Sequence, residues 1–189
     1  MLPANAPVLA ALSLPHEYAI TDAQARGASE MLARIDVRLA QGLKLIQIRD
    51  RGIADRDAFV RNVVRLARLH GARVLVSGGP PLGDGVHLTA AALMRATRRP
   101  SGALAAASCH TADELRHAMS LGLDFAVLGP VKATATHPDA RPLGWDGFAR
   151  TARDASIPVY AIGGLRRGDL EDAWRAGAHG VAMIRGAWD

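Results

Sequence analysis

One cysteine, two lysines and few aromatic rings set the limits of this 189-residue chain. The lone thiol, Cys109, has no partner for an internal disulfide, which points to a reducing, cytoplasmic setting. Aromatic residues make up 4% of the sequence and no basic run is interleaved with them, so nucleic acid is not an expected partner. An apolar span of 18 residues is also missing, as is a charged-then-apolar leader, so neither a membrane helix nor a secretory signal is expected. Lysine occurs only at Lys44 and Lys132, so the net charge of +5 and the isoelectric point near 10.3 rest on arginine. Guanidinium groups suit anions. Arg61, Arg65 and Arg68, however, recur at helical spacing and read as the solvated face of one helix.

What is present is a rhythm of short apolar runs alternating with amphipathic stretches. Strand-like runs occur at Glu17 to Thr21, Leu43 to Arg49, Arg73 to Ser77, Gly85 to Leu88, Ala103 to Ser108, Phe125 to Leu128, Ile157 to Gly164 and Gly180 to Gly186. Between them, Ser29 to Ala40, Asp55 to Leu69, Thr111 to Gly122, Gly144 to Ala155 and Asp169 to Ala176 carry apolar residues at helical spacing. Thr111-Ala112-Asp113-Glu114 has the pattern of a capping box. Eight apolar strands separated by helices predict an α/β fold, a compact (β/α)8 TIM barrel with a parallel sheet covered on its outer face. Residues 1 to 15 read as an N-terminal extension and 16 to 189 as a single barrel domain, short against the ~250 residues typical of the architecture. The run Gly78-Gly79-Pro80-Pro81-Leu82-Gly83 is too short and too rich in breakers for a helix, so the third helix is expected to be shortened or missing. A full final helix is not expected either.

In such a barrel the chemistry sits in the loops after the strands. The last two strands end in Gly163-Gly164 and in Arg185-Gly186, turns that expose backbone N–H groups beside a cation and suit a phosphate. Gln47 and Arg49 share one strand face, with Arg51 beyond them, and Ser77 ends the next strand. An ion pair of Arg49 with Asp22 is the alternative use of that arginine. His110 begins a loop and is a candidate acid–base or anion-binding group, or a cap of local structure. His87, inside a strand, reads as a packed core histidine. Thr134, Thr136 and His137 lie on a long loop from Gly129 to Gly144 that reads either as a lid or as an exposed turn.

The set Tyr18-Ala19-Ile20-Thr21-Asp22, Gln47-Ile48-Arg49, Gly85-Val86-His87-Leu88, Ser108-Cys109-His110-Thr111, Leu128-Gly129-Pro130-Val131 and Ala161-Ile162-Gly163-Gly164 resembles the thiamine-phosphate synthase and TenI-like thiazole tautomerase superfamily. The likeness runs from about Tyr18 to Gly186. It implies a thiazole or thiamine phosphate bound at the ends of strands seven and eight. In the synthase it also implies an aminopyrimidine pyrophosphate held with Mg²⁺. Two departures matter. Where the synthase pattern has Asn-Asp this chain has Ser77-Gly78, and where an Asp follows the fourth strand it has Thr89-Ala90-Ala91. Without those carboxylates neither a metal site nor any other cofactor is expected. The histidine that the tautomerase pattern places after strand six is Pro130, so proton transfer falls to His110 or His137.

The expected function is therefore binding of a thiazole or thiamine phosphate, with or without Mg²⁺-independent chemistry on it. A non-catalytic phosphate-binding domain, like those fused to Nudix hydrolases, is the alternative, favoured by the Ser108-Cys109-His110-Thr111 and Gly144-Trp145 stretches. Full synthase activity is the third reading. A missing third helix would expose barrel surface, which raises a homodimer as an expectation.

Overall fold

The computed structural model describes residues 14–78, 82–134 and 141–189. Its strands are β1 (Glu17–Ile20), β2 (Leu45–Ile48), β3 (Arg73–Val76), β4 (Gly85–Leu88), β5 (Leu104–Cys109), β6 (Phe125–Leu128), β7 (Val159–Ile162) and β8 (Gly180–Met183). Each pairs in parallel with the next, and β8 returns to β1 to close the barrel. Closure leaves no sheet edge unpaired. Around it lie α1 (Ala23–Arg26), α2 (Ala28–Ala40), α3 (Arg56–Leu69), α4 (Ala90–Arg95), α5 (Ala112–Ser120), α6 (Gly144–Ala152) and α7 (Leu170–Arg175). Single 3-10 turns occupy Arg167–Asp169 and Arg185–Ala187.

Local sequence explains most of these elements. Helix α3 turns Phe59, Val60, Val63, Val64 and Ala67 inward and leaves Arg61, Arg65 and Arg68 exposed, so that arginine stripe is a solvated face. Helix α5 opens on the expected capping box, with Thr111 Oγ1 accepting from Glu114 N and the Glu114 carboxylate accepting from Thr111 N, each at 3.2 Å. The described residues between β3 and β4 contain no helix, as the glycine and proline run requires. Helices α1 and α4 are additions to the sequence reading. They are four and six residues long, too short to show an apolar stripe by spacing alone.

Alternation along the strands divides the core in two. Outward residues such as Ala19, Ile46, Val74 and Ala126 pack against the helices, while inward Tyr18, Leu45, Leu75, Phe125 and Tyr160 fill the barrel. Both tyrosines of the chain and Phe125 meet with ring centroids 5.2 to 5.7 Å apart, near the strand starts. Leu14 joins this inner cluster and the Tyr160 hydroxyl donates to the Pro15 carbonyl. Residues 14 and 15, assigned by sequence to the extension, thus seal the N-terminal end. The open end is the one carrying the loops after the strands.

After β8 the chain forms the 3-10 turn instead of a full helix, and arginines from α2 hold it. Arg38 Nε donates to Ala187 O at 2.9 Å and Arg34 Nη1 to Trp188 O at 2.6 Å. Arg38 is buried and also meets Glu17 Oε1 at 2.5 Å.

Candidate functional site

The strand ends open into a cavity of about 790 Å³. Gln47, Arg49, Arg51, Ser77, His110, Thr134, Gly163, Gly164, Arg185 and Gly186 all line it. Thr136 and His137 lie outside the described residues.

The β7 end forms the most constrained wall. Gly163 and Gly164 have φ of 106° and 65°, conformations in which a side chain is strained. A Cβ on Gly164 would stand 2.6 Å from the carbonyl oxygen of Ala133, so the loop after β6 packs directly onto this turn. Val131 N and Lys132 N bond to Ile162 O and Gly163 O at 2.7 and 3.0 Å, fixing that contact. On the other flank a Cβ on Gly186 would stand 2.6 Å from Leu165 O. The turns after β7 and β8 are therefore neighbours, and Arg166 and Arg185 are exposed on the cavity rim beside them. Glycine turns with guanidinium groups alongside have the donor chemistry that an oxyanion requires.

The β2 and β3 ends form the opposite wall. Buried Gln47 donates through Nε2 to Ser77 Oγ at 2.7 Å, which fixes both side chains beneath the cavity. Arg49 Nη2 lies 3.8 Å from Asp22 Oδ1, a loose ion pair that leaves the guanidinium partly exposed, in line with the alternative raised for it. Arg51 spreads over Gly78, its guanidinium atoms 3.4 Å from where a Cβ there would stand. Asp50 is buried, and its two oxygens accept from Thr21 Oγ1 at 2.5 Å and Gln24 N at 2.8 Å. That carboxylate ties the β1 loop to the β2 loop. Arg56 donates to the carbonyls of Asp50, Ser77 and Gly78, holding the same loops from below.

The third wall comes from β4 to β6. His87 is buried between Tyr18 OH, 3.0 Å from Nδ1, and Ser108 Oγ, 2.9 Å from Nε2. Burial lowers its pKa from 6.5 to about 3, so the imidazole is neutral, as a core histidine should be. His110 is exposed at the rim and donates from Nδ1 to Gly129 O at 2.7 Å. Burial, with the Glu114 charge, pushes the Cys109 thiol up to about 12, which removes it as a nucleophile.

Residues 17–187 match the family model described as thiamine monophosphate synthase. The chain belongs to that family. A protein of Geobacter sulfurreducens with a provisional thiamine-phosphate synthase name is 34% identical over 178 residues, covering 88% of this chain and 84% of the relative. A thiamine-phosphate synthase of Caldivirga maquilingensis is 32% identical, covering 89% and 86%. Among solved structures, a thiamine phosphate pyrophosphorylase from Pyrococcus furiosus superposes with a TM-score of 0.72 at 25% identity, covering 89% of this chain and 84% of that one. Within this thiamine monophosphate synthase frame, three residues of the mouth escaped the sequence reading. Asp50 lies between two arginines in sequence, and the partners of its carboxylate, Thr21 and Gln24, come from the segment after β1. Arg56 sits in the first turn of a helix, where nothing in its spacing marks it. Arg166 did carry a signal, following Gly163-Gly164 by two positions. No helix among the described residues is long and apolar enough to cross a membrane.

Proposed function

We propose that this chain binds a thiazole phosphate or thiamine phosphate in the cytosol, with the phosphate on the Gly163–Gly164 turn beside Arg185 and Gly186. The observation that carries the reading is the contact of two glycine turns, from β7 and β8, at one open mouth rimmed by arginine. Membership of the thiamine monophosphate synthase family supports the ligand class. Thr134, with Thr136 and His137 beyond it, would supply further hydroxyl and imidazole contacts from the loop after β6. In the catalytic form of the proposal His110 moves a proton at the heterocycle. Its ring is oriented by the bond that Nδ1 donates to Gly129 O.

The divalent ion that synthase chemistry implies does not fit the residues present. Ser77-Gly78 and Thr89-Ala90-Ala91 offer no carboxylate, both oxygens of nearby Asp50 are engaged, and Arg51 covers Gly78. Among the described residues no three His, Cys, Asp or Glu side chains cluster as a metal site. Arginines then neutralise the anion directly.

Thermal unfolding with thiazole phosphate, thiamine phosphate and pyrophosphate, each with and without Mg²⁺, tests this. A ligand at a hundred times its Kd adds about 2.7 kcal/mol to stability. A rise with the thiazole or thiamine phosphate that is indifferent to Mg²⁺ is the expected result, and no rise, or one that needs Mg²⁺, overturns it. Proton exchange on the bound thiazole, lost in His110→Ala, supports catalysis. A ligand that binds and is left unchanged makes the chain a binding domain of the kind fused to Nudix hydrolases.

A further inference from the structure

One of the chain's two lysines sits where the loop after β6 meets the turn after β7. Lys132 N donates to Gly163 O at 3.0 Å, and the side-chain stem crosses Gly164, its Cβ 2.9 Å from where a Cβ on that glycine would stand. From there Nζ reaches Asp169 Oδ1 at 2.7 Å, 37 positions along the chain. The other oxygen of that carboxylate accepts from Arg166 N at 2.8 Å, and Asp169 N returns a bond to Arg166 O at 3.0 Å. Arg166 in turn packs on the turn after β8, its Cα 3.2 Å from where a Cβ on Gly186 would stand. It lines the cavity, and among the described residues no carboxylate forms an ion pair with its guanidinium. One carboxylate thus holds the lysine of one loop and the backbone of the next, where both meet the cavity.

An exposed ion pair adds little to stability, and Lys132 is exposed, so folding does not account for the arrangement. What it restricts is the Arg166 backbone relative to the two glycine turns, freedom that an anion would otherwise have to remove on binding. Partial burial by itself would raise the Asp169 pKa. The bonds from Lys132 and Arg166 N, with the charges of both residues, outweigh that and hold it below the usual carboxylate value, so the group is ionised at neutral pH. We infer that Lys132 and Asp169 are positioning residues, a latch between the β6 loop and the β7 turn that presents Arg166 to the anion on the glycine turns. Neither latch residue touches the ligand, whereas Arg166 does. The inference rests on the phosphate reading above and deepens it, adding a guanidinium beside Arg185 and the pair that sets it.

Two measurements test the latch. In protein without ligand, amide hydrogen exchange at residues 132 and 166 is expected to quicken about threefold in Lys132→Met, with the melting temperature close to that of the wild type. Unchanged exchange at both amides overturns the latch whatever the ligand. In titrations with inorganic phosphate and with thiazole phosphate, Arg166→Ala and Asp169→Ala are each expected to weaken binding about tenfold, the scale of one hydrogen bond to a charged group. Lys132→Met is expected to weaken it about threefold, and Lys132→Arg, which restores the cation, to recover most of that loss. Because Asp169 acts through Arg166, Asp169→Ala should cost almost nothing further in an Arg166→Ala background and its full factor in an Arg185→Ala background. The same factor in both backgrounds, or no loss in Asp169→Ala alone, overturns the positioning role. Wild-type protein that binds inorganic phosphate but not thiazole phosphate overturns the ligand reading and leaves the latch to be decided by the same cycle; binding of neither overturns both.

Discussion

Gly163 stands against Pro130, with a Cβ built on the glycine only 2.5 Å from the proline Cβ. The contact presses the loop after β6 onto the turn after β7, and it has no slack for a methyl group.

Gly163→Ala should therefore lower stability by about 2 kcal/mol or more, from the strained φ and the forced shift of the loop. Denaturant unfolding measures the loss. The same change should abolish binding of phosphate ligands, because the turn amides move with the backbone. Retention of both properties would show that the turn is not the cradle.

Arg185 is exposed on the rim, and among the described residues no carboxylate is paired with it. Arg185→Ala should leave thermal stability nearly unchanged and weaken phosphate-ligand affinity by about ten- to a hundredfold, the range for a hydrogen bond to a charged group. Arg185→Lys should restore part of the affinity, as a point charge without the planar fork. Calorimetry on the two variants reads both effects.

His87 predicts an acid-sensitive fold. Burial takes its pKa from 6.5 to about 3, so on acidification the unfolded chain takes up the proton first. Its contribution is complete above the unfolded value and is lost as pH falls from 6.5 toward about 3, at up to about 1.4 kcal/mol per pH unit. His179 shifts the same way because of its own burial. Unfolding free energies measured through that window should fall less steeply in His87→Gln than in the wild type. Parallel slopes would remove His87 as the cause.

Arg38 carries a stability prediction. It is 7% exposed and joins Glu17, Gln41 and the carbonyl of Ala187. Arg38→Met should cost about 2 to 3 kcal/mol, below the usual loss for a buried pair because Glu17 stays partly exposed. Since the carbonyl it releases belongs to the Arg185–Ala187 turn, phosphate affinity should fall with it. Denaturation and ligand titration of one variant test both.

The barrel was legible because its signals are local. Apolar runs such as Phe125 to Leu128 and Gly180 to Met183 mark buried strands without reference to any neighbour, and the stripe in α3 marks a helix by spacing alone. The breakers between Ser77 and Gly83 likewise marked a stretch whose described residues, between β3 and β4, hold no helix. Helices α1 and α4 were hidden by shortness, since four or six residues complete at most two turns.

By itself the sequence determined that eight strands end in loops bearing glycine, arginine, serine and histidine, because strand period and glycine turns are written within a few residues. Only the closed barrel decided what those residues do to one another. Asp50 meets Thr21 across 29 positions of chain, and His87 joins Tyr18 across 69, contacts that exist only when β1 and its neighbours share one ring. The proximity of the Gly163 and Gly186 turns, and the contacts that link Tyr18, His87 and Ser108, follow from that closure, because both are distances between strands and not properties of any strand alone.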